Sequence, residues 1–174
     1  HLTMSAHDAP DALSANVIGD VKGRKKPEEI VLLACHLDSW DVGQGAQDDG
    51  AGCVAVIEAA RLISELKRPP RRTIRVVLFT NEENGLRGAK NYAQVHKDAL
   101  PLHKAAIEAD TGAGAPLGFR VQRPDDKAKS DAPFLANLSS TLQPLGASRL
   151  RPGYAGADLR PLVQAHPGVW AFGL

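Results

Sequence analysis

Two short segments, residues 14–21 and the plainly apolar residues 30–35, give the first clear pattern in the chain. A charged stretch containing glycine and proline, residues 22–29, separates them, so this part of the sequence predicts two β-strands joined by an exposed turn. The four basic residues of that turn are interpreted as solvated side chains. The polar residues that come first, 1–13, show no period and are interpreted as a frayed N-terminal segment.

An amphipathic helix and a series of alternating elements follow. From Asp48 onward, apolar residues recur at helical spacing, and Pro69 and Pro70 end the pattern because a proline ring cannot continue the hydrogen-bond ladder of a helix. Later patterns predict strands over residues 73–80, 104–109 and 168–173 and helices over residues 85–96 and 132–142. This alternation predicts an α/β fold, a three-layer α/β/α sandwich with a mostly parallel central sheet.

Composition and charge narrow the class of protein. The 174 residues are 43% hydrophobic, which suits one globular domain over residues 14–174. Lys and Arg number 21 against 20 Asp and Glu, so the formal net charge of +1 predicts no nucleic-acid partner. No apolar run approaches the roughly 20 residues that cross a bilayer, so no membrane span is expected. No leader is visible at His1, so we expect a signal peptide to be either removed or never present.

Carboxylates and one imidazole follow the ends of three predicted strands. They are His36 and Asp38 after the first buried strand, Glu82 and Glu83 after the second, Asp110 after the third, and Asp48 at the start of the first helix. In open α/β sheets, ligands bind at the carboxyl ends of the strands. Carboxylates that converge there repel one another unless a cation neutralises them, and imidazole with carboxylate oxygens suits zinc better than magnesium or calcium. The sequence therefore predicts a zinc site.

Two pairs of residues suggest roles within that site. Asp38 can accept the second ring N–H of a metal-bound His36, because residues two apart project from the same side of a strand end. Of Glu82 and Glu83, one can bind metal while the other takes a proton from water. Two ions bridged by one carboxylate lie about 3.5–4 Å apart and can share a hydroxide, an arrangement suited to hydrolysis.

Three segments together resemble a known family. They read HLDSWDVGQGAQDDGAG at residues 36–52, TNEENGLRG at residues 80–88 and EADTGA at residues 108–113. They are similar to the co-catalytic zinc exopeptidases, which include bacterial leucyl aminopeptidases, carboxypeptidase Q and, more distantly, glutaminyl cyclases, and the carboxypeptidase Q-like branch is the most similar. The resemblance implies hydrolysis of peptide or dipeptide substrates near a chain terminus, of the aminopeptidase or dipeptidase type, through a metal-bound hydroxide. It also implies a secreted or periplasmic protein.

The resemblance implies roles for individual residues as well. His36 and Asp110 would bind one of two zinc ions, Asp48 would bridge the pair, and Glu83 would bind the other ion. Glu82 would be the general base.

The C-terminal part of the chain matches the family pattern less completely. Tyr154 lies in a segment, YAGAD, similar to the one in which a family tyrosine stabilises the tetrahedral intermediate, and the alternative is a core aromatic. The family supplies the last ligand of the second zinc from a histidine that follows a strand like residues 168–173, whereas this sequence ends at Leu174. We therefore expect a catalytic domain that is incomplete at its C-terminus and lacks that ligand, and His166 is not assigned in its place.

Some interpretations stay open. A single-zinc, glutaminyl cyclase-like acyltransferase and a non-catalytic peptidase-like binding module would share these motifs. Trp40 either lines a substrate pocket or packs beneath its loop. Cys35 and Cys53 are interpreted as two buried thiols, with a single disulfide as the alternative. His96 and His103 are expected at the surface.

Overall fold

One mixed sheet organises the chain in the computed structural model, which describes residues 1–5, 7, 9–122 and 132–174. Its strands are β1 (Val17–Val21), β2 (Lys26–His36), β3 (Arg72–Phe79), β4 (His103–Glu108), β5 (Gly118–Gln122), β6 (Arg149–Pro152) and β7 (Trp170–Gly173). The α-helices of the described residues are α1 (Ala51–Ser64), α2 (Arg87–Val95), α3 (Ala132–Leu142) and α4 (Leu159–Ala165).

The strands lie in the order β1-β3-β2-β4-β7-β5-β6. The four central strands β3, β2, β4 and β7 run parallel to one another. Strand β1 pairs antiparallel with β3, and β5 pairs antiparallel with β7. The carboxyl ends of β2, β3 and β4 therefore meet at the same edge of the sheet. The expectation of a mostly parallel central sheet is confirmed.

Helices cover both faces of that sheet. On one face, Leu32 and Ala34 of β2 pack with apolar residues of α2 and α4. On the other, Leu33 and Cys35 of β2 pack against α1. This alternation along a single strand is the two-residue period of a strand buried on both sides. The three-layer α/β/α architecture is confirmed.

Three short elements were not predicted. Strand β5 contains a charged residue, Arg120, at its centre, β6 is only the four residues RLRP, and α4 carries Pro161 within its first turn. None of them shows an apolar period long enough to indicate a strand or a helix. They form because neighbouring elements provide partners for them.

Two structural interpretations from the sequence are wrong. The structure joins Cys35 and Cys53 in a disulfide whose Cα atoms lie 5.2 Å apart, so these residues are not two thiols. Such a separation is within the range that a disulfide spans. His103 is completely buried rather than at the surface: it is the first residue of β4, and its Nε2 lies 2.9 Å from the hydroxyl of Tyr92 on α2. Among the described residues, no helix is both long and apolar enough to cross a bilayer.

Candidate metal centre

Adjacent parallel strands bring the acidic motifs to one place. His36 is the last residue of β2, Glu82 and Glu83 lie in the loop after β3, and Asp110 follows β4. Asp48 approaches from the turn that precedes α1. Candidate ligand atoms of His36, Asp48 and Asp110 lie within 4.8 Å of one another, and so do those of His36, Glu82 and Glu83. The two groups share the imidazole.

The His36 ring is held between a carbonyl oxygen and two carboxylates. Its Nε2 lies 3.1 Å from Asp48 Oδ1 and 3.2 Å from Asp110 Oδ1. Its Nδ1 lies 2.9 Å from the main-chain oxygen of Asp38 but 3.7 Å from the Asp38 carboxylate. The acceptor that orients the ring is therefore the backbone of Asp38, which differs from the side-chain contact that we expected. A backbone carbonyl at Nδ1 directs Nε2 toward the centre.

The Asp38 carboxylate contacts a different part of the centre. Its two oxygens accept the backbone N–H groups of Glu82 at 2.8 Å and Glu83 at 3.1 Å. Asp38 thus links the end of β2 to the loop after β3, and it fixes the main chain from which both glutamates project.

Asp49 is a supporting residue that we did not identify from the sequence. It is buried, and its carboxylate accepts the backbone N–H of His36 at 3.0 Å and that of Gly52 at 3.1 Å. These bonds tie the end of β2 to the start of α1 and so place the neighbouring Asp48, to which Asp49 is joined by a cis peptide bond. The sequence feature that could have indicated Asp49 is the Asp48-Asp49 pair, in which we assigned a role only to Asp48.

Glu108 also accepts backbone N–H groups, and its hydrogen bonds hold the start of α4 near the site. Its buried carboxylate accepts the backbone N–H groups of Leu159, at 2.8 Å, and Asp158, at 3.4 Å. A Cβ added to Gly156 would lie 2.2 Å from the Glu108 carboxyl carbon, so the loop before α4 fits against this side chain only with glycine there. That loop carries Tyr154, which is 46% exposed and therefore not the core aromatic of the alternative interpretation.

The electrostatics of the centre reflect its excess of carboxylates. Burial lowers the pKa of His36, but the hydrogen bond and charge of Asp110, together with the charges of Asp49 and Glu82, outweigh it and raise the pKa to about 10. Burial raises the pKa of Asp49 to about 6. Burial and neighbouring negative charges also raise the pKa of Glu82 and of Glu83. The site therefore favours an added positive charge.

A buried oxygen of Glu83 shows whether the site fits a metal ion. Glu83 Oε1 is buried and has no hydrogen-bond partner among the described residues, a state that costs free energy unless something binds the atom. A divalent cation held by one imidazole and several carboxylates would satisfy it, and zinc accepts that set of donors. The residues present therefore fit a zinc site.

Other candidate residues lie away from this centre. Trp40 is 62% exposed, so it does not pack beneath its loop. Neither His96 nor His166 belongs to the groups of potential ligands that the described residues form. A group of Cys35, Asp49 and Cys53 is also close in space, but its sulfurs are joined to each other.

Fold and site together define an α/β/α domain with a candidate metal centre at the carboxyl edge of a mostly parallel sheet. Residues 16–166 match peptidase family M28, and the chain belongs to this family. The resemblance that the three sequence motifs indicated is confirmed at the level of the family.

Individual relatives agree with this assignment. The chain is 41% identical over 165 residues to carboxypeptidase Q from Rattus norvegicus, a match that covers 95% of this chain and 34% of that protein. The crystal structure of a peptidase M28 precursor from Shewanella amazonensis superposes with a TM-score of 0.81 and 43% identity, covering 91% of this chain and 35% of that one. A zinc aminopeptidase from Bacillus subtilis superposes with a TM-score of 0.69 and 25% identity, covering 91% and 39%. The chain thus spans about a third of the length of the curated relatives that it matches.

Proposed function

We propose that this chain provides the metal centre of a zinc exopeptidase, a hydrolase that cleaves peptide bonds near a chain terminus. The observation that carries the proposal is the convergence of two groups of candidate ligands that share His36. The similarity to carboxypeptidase Q and to a zinc aminopeptidase supports both the metal and the class of reaction. Peptides or dipeptides are the proposed substrates, and residues 14–174 are the proposed catalytic domain.

The ligand assignment follows the family resemblance, and the short distances from the His36 ring to Asp48 and Asp110 support part of it. His36 and Asp110 would hold one zinc ion, Asp48 would serve both ions, and Glu83 would hold the second. The resemblance implies a further histidine for the second ion, and the described residues do not bring one to this edge. Bound zinc lowers the pKa of a coordinated water toward about 7 and polarises the carbonyl of the scissile bond.

The chain's own residues supply the proton transfers and the positioning. Glu82 takes the proton of the attacking water and returns it to the leaving amine, a task favoured by the raised pKa of its carboxyl group. Asp38 holds the main chain of Glu82 through its 2.8 Å hydrogen bond. The hydroxyl of Tyr154, on an exposed loop, donates to the carbonyl oxygen as negative charge develops there.

Two observations favour this function over the alternatives. The single imidazole of His36 is surrounded by four carboxylates, more negative charge than one divalent ion neutralises, which favours two ions over the single zinc of a glutaminyl cyclase-like acyltransferase. Glu82 and Glu83 both have a raised pKa beside these groups, a feature that a non-catalytic binding module does not require. Metal content and peptide turnover together distinguish the three functions.

A secreted or periplasmic location is also part of the proposal. The Cys35–Cys53 disulfide supports it, because disulfides form and persist in oxidising compartments and are rare in the cytosol.

The test is Glu82→Gln in the whole protein that carries this chain. We expect kcat on unblocked peptides to fall by about 10²–10⁴-fold, since general-base catalysis contributes about that much, while zinc content measured by elemental analysis is unchanged. A chelator should abolish the activity of the unmodified protein, and added zinc should restore it.

Glu28→Gln is the matched control, because Glu28 is an exposed glutamate on β2 far from the centre. We expect it to leave both kcat and zinc content unchanged. Full activity of Glu82→Gln would overturn the assignment of the base. Activity that survives complete removal of metal would overturn the zinc exopeptidase itself.

A further inference from the structure

Two loops at the amino-terminal edge of the sheet concentrate positive charge. Residues 22–26 (KGRKK) and residues 67–72 (KRPPRR) hold eight of the 21 Lys and Arg residues of the chain and no acidic residue. One loop leads into β2 at Lys26 and the other into β3 at Arg72. We call these two segments together the basic platform.

Backbone contacts join the two loops to each other. The N–H of Arg24 donates to the carbonyl of Pro70 at 2.9 Å, and the N–H of Lys25 donates to that of Arg71 at 3.2 Å. A Cβ added to Gly23 would lie 2.5 Å from a backbone carbon of the other loop. The loops therefore form one ordered surface, and a ligand that binds there meets little cost in ordering the backbone.

Most of the positive charge of the platform is available to a partner. Lys26 and Arg72 are paired with Glu29, at 2.8 Å and 2.5 Å. The other six basic residues are exposed, and no carboxylate pairs with them within the described part of the chain. They are Lys22, Arg24, Lys25, Lys67, Arg68 and Arg71.

We propose that the basic platform binds a sulfated polysaccharide. Three of the six available bases are arginines, whose planar fork matches oxyanions such as sulfate in a bidentate geometry, and the three lysines add point charges beside them. The platform has no aromatic side chain on which nucleobases would stack. Apart from its lysines and arginines it holds only glycine and proline, so it has no large apolar side chain to insert into a bilayer. A flexible polyanion that carries no nucleobases is the partner that fits.

The position of the platform keeps such a partner away from the metal centre. Strand β2 spans 11 residues between Lys26 and His36, which corresponds to about 30 Å at the rise of a β-strand. The carboxylates at the far edge repel polyanions, while the bases at the near edge attract them. A bound polysaccharide would hold the protein in place and leave the centre open. This inference does not depend on the proposed peptidase activity.

The experiment measures binding of the chain to heparin, used as the probe, by titration calorimetry at low salt. The platform variant carries Lys25→Ser, Arg68→Ser and Arg71→Ser. The matched control carries Lys97→Ser, Arg149→Ser and Arg151→Ser, which removes the same number of exposed lysines and arginines outside the platform. We expect at least tenfold weaker binding for the platform variant and less than a twofold change for the control, with affinity falling as salt increases. Circular dichroism establishes that both variants are folded.

Three results would overturn the proposal. The first is a folded, unmodified chain that does not bind heparin, and the second is an equal loss of affinity in both variants, which would mean that the charge acts without a defined site. The third comes from two further probes, a short DNA duplex and phosphatidylserine vesicles. Tighter binding to either of them than to heparin would assign the platform to a different class of partner.

Discussion

Asp38 contacts the candidate centre through two chemically different groups. Its main-chain oxygen faces Nδ1 of His36 at 2.9 Å, and its carboxylate accepts the N–H groups of Glu82 and Glu83. A carboxylate that accepts two N–H donors forms charge-assisted hydrogen bonds, which are stronger than neutral ones. One residue therefore sets the direction of the imidazole and the position of both glutamates.

Replacement of Asp38 with asparagine tests this role. The amide has the same shape but a single acceptor oxygen, and its NH₂ group faces one of the two backbone N–H donors. We expect the zinc affinity of the protein to fall by about 10–100-fold, as is usual when a residue that supports metal ligands is changed. Competition with a chromophoric chelator measures the affinity.

Asp41→Asn provides the control, since Asp41 is an exposed aspartate of the same loop and loses the same charge. Its zinc affinity should match that of the unmodified protein. If the two variants lost affinity equally, net charge rather than the backbone contacts of Asp38 would explain the effect.

At the scale of elements, helix α1 begins in contact with the end of strand β4. A Cβ added to Gly52 would lie 2.0 Å from the backbone oxygen of Ala109 and 2.2 Å from Asp49 Oδ1. The absence of a side chain at Gly52 therefore allows α1 to pack near the candidate ligands, and it leaves Asp49 free to accept the N–H of His36.

Gly52→Ala should destabilise the fold for this reason. Alanine within a helix is otherwise favoured over glycine by about 1 kcal/mol, so an unobstructed site would gain stability. Here the added methyl group meets a backbone oxygen that cannot move alone, and we expect the free energy of unfolding to fall by about 1–3 kcal/mol. Urea denaturation measures the change.

Gly114→Ala is the appropriate comparison, because nothing lies within 4 Å of a Cβ at that glycine. Its effect should stay within about 0.5 kcal/mol. A stabilising Gly52→Ala would show that the close approach between α1 and β4 does not exist in solution.

The central elements were predictable from sequence, and the peripheral ones were not. Strands β2 and β3 contain apolar runs, residues 30–35 and 76–79, because both faces are buried there, and this pattern is visible in sequence alone. Strands β5 and β6 lie at one end of the sheet and include Arg120 and Pro152, residues that suit an edge but give no strand pattern. Their pairing depends on β7, which is distant in sequence.

In the candidate site, too, some features could be predicted from the sequence and others could not. Residues that follow parallel strands, such as His36 and Asp110, were expected to meet because strand ends converge at one edge. The hydrogen bonds of Asp49 and Glu108 could not be predicted, because their donors are backbone N–H groups whose positions depend on the complete fold. Sequence spacing carries information on side-chain chemistry and very little on such backbone donors.

At the scale of the whole molecule, a chain of polar contacts links four elements. Asp20 of β1 binds Arg75 of β3 in a bidentate pair at 2.8 Å, and Arg75 donates to the hydroxyl of Tyr92 of α2 at 3.4 Å. That hydroxyl lies 2.9 Å from Nε2 of His103 on β4, whose Nδ1 lies 3.1 Å from the carbonyl of Ala99. The carbonyl can only accept, so Nδ1 carries a proton, and in the neutral ring Nε2 accepts from the tyrosine hydroxyl.

This arrangement makes stability depend on pH. Burial lowers the pKa of His103 from 6.5 to about 4, with a further contribution from Arg75. Between these values the unfolded chain binds a proton that the folded chain does not, so stability decreases as the pH falls from 6.5 toward 4. The free energy of unfolding should lose about 3 kcal/mol from this residue over that interval.

A variant isolates the contribution of His103 from those of other groups. The raised pKa values of Asp49 and Glu108 act in the opposite direction, because a carboxyl group that protonates more readily in the folded state stabilises it as the pH falls. We therefore compare urea unfolding of the unmodified chain with that of His103→Gln, whose amide oxygen can accept from Tyr92 but does not titrate, and with that of His7→Gln at an exposed histidine. The unmodified chain and His7→Gln should lose stability more steeply than His103→Gln between pH 6.5 and 4. Parallel curves for all three proteins would mean that His103 takes up a proton as readily in the folded state as in the unfolded state.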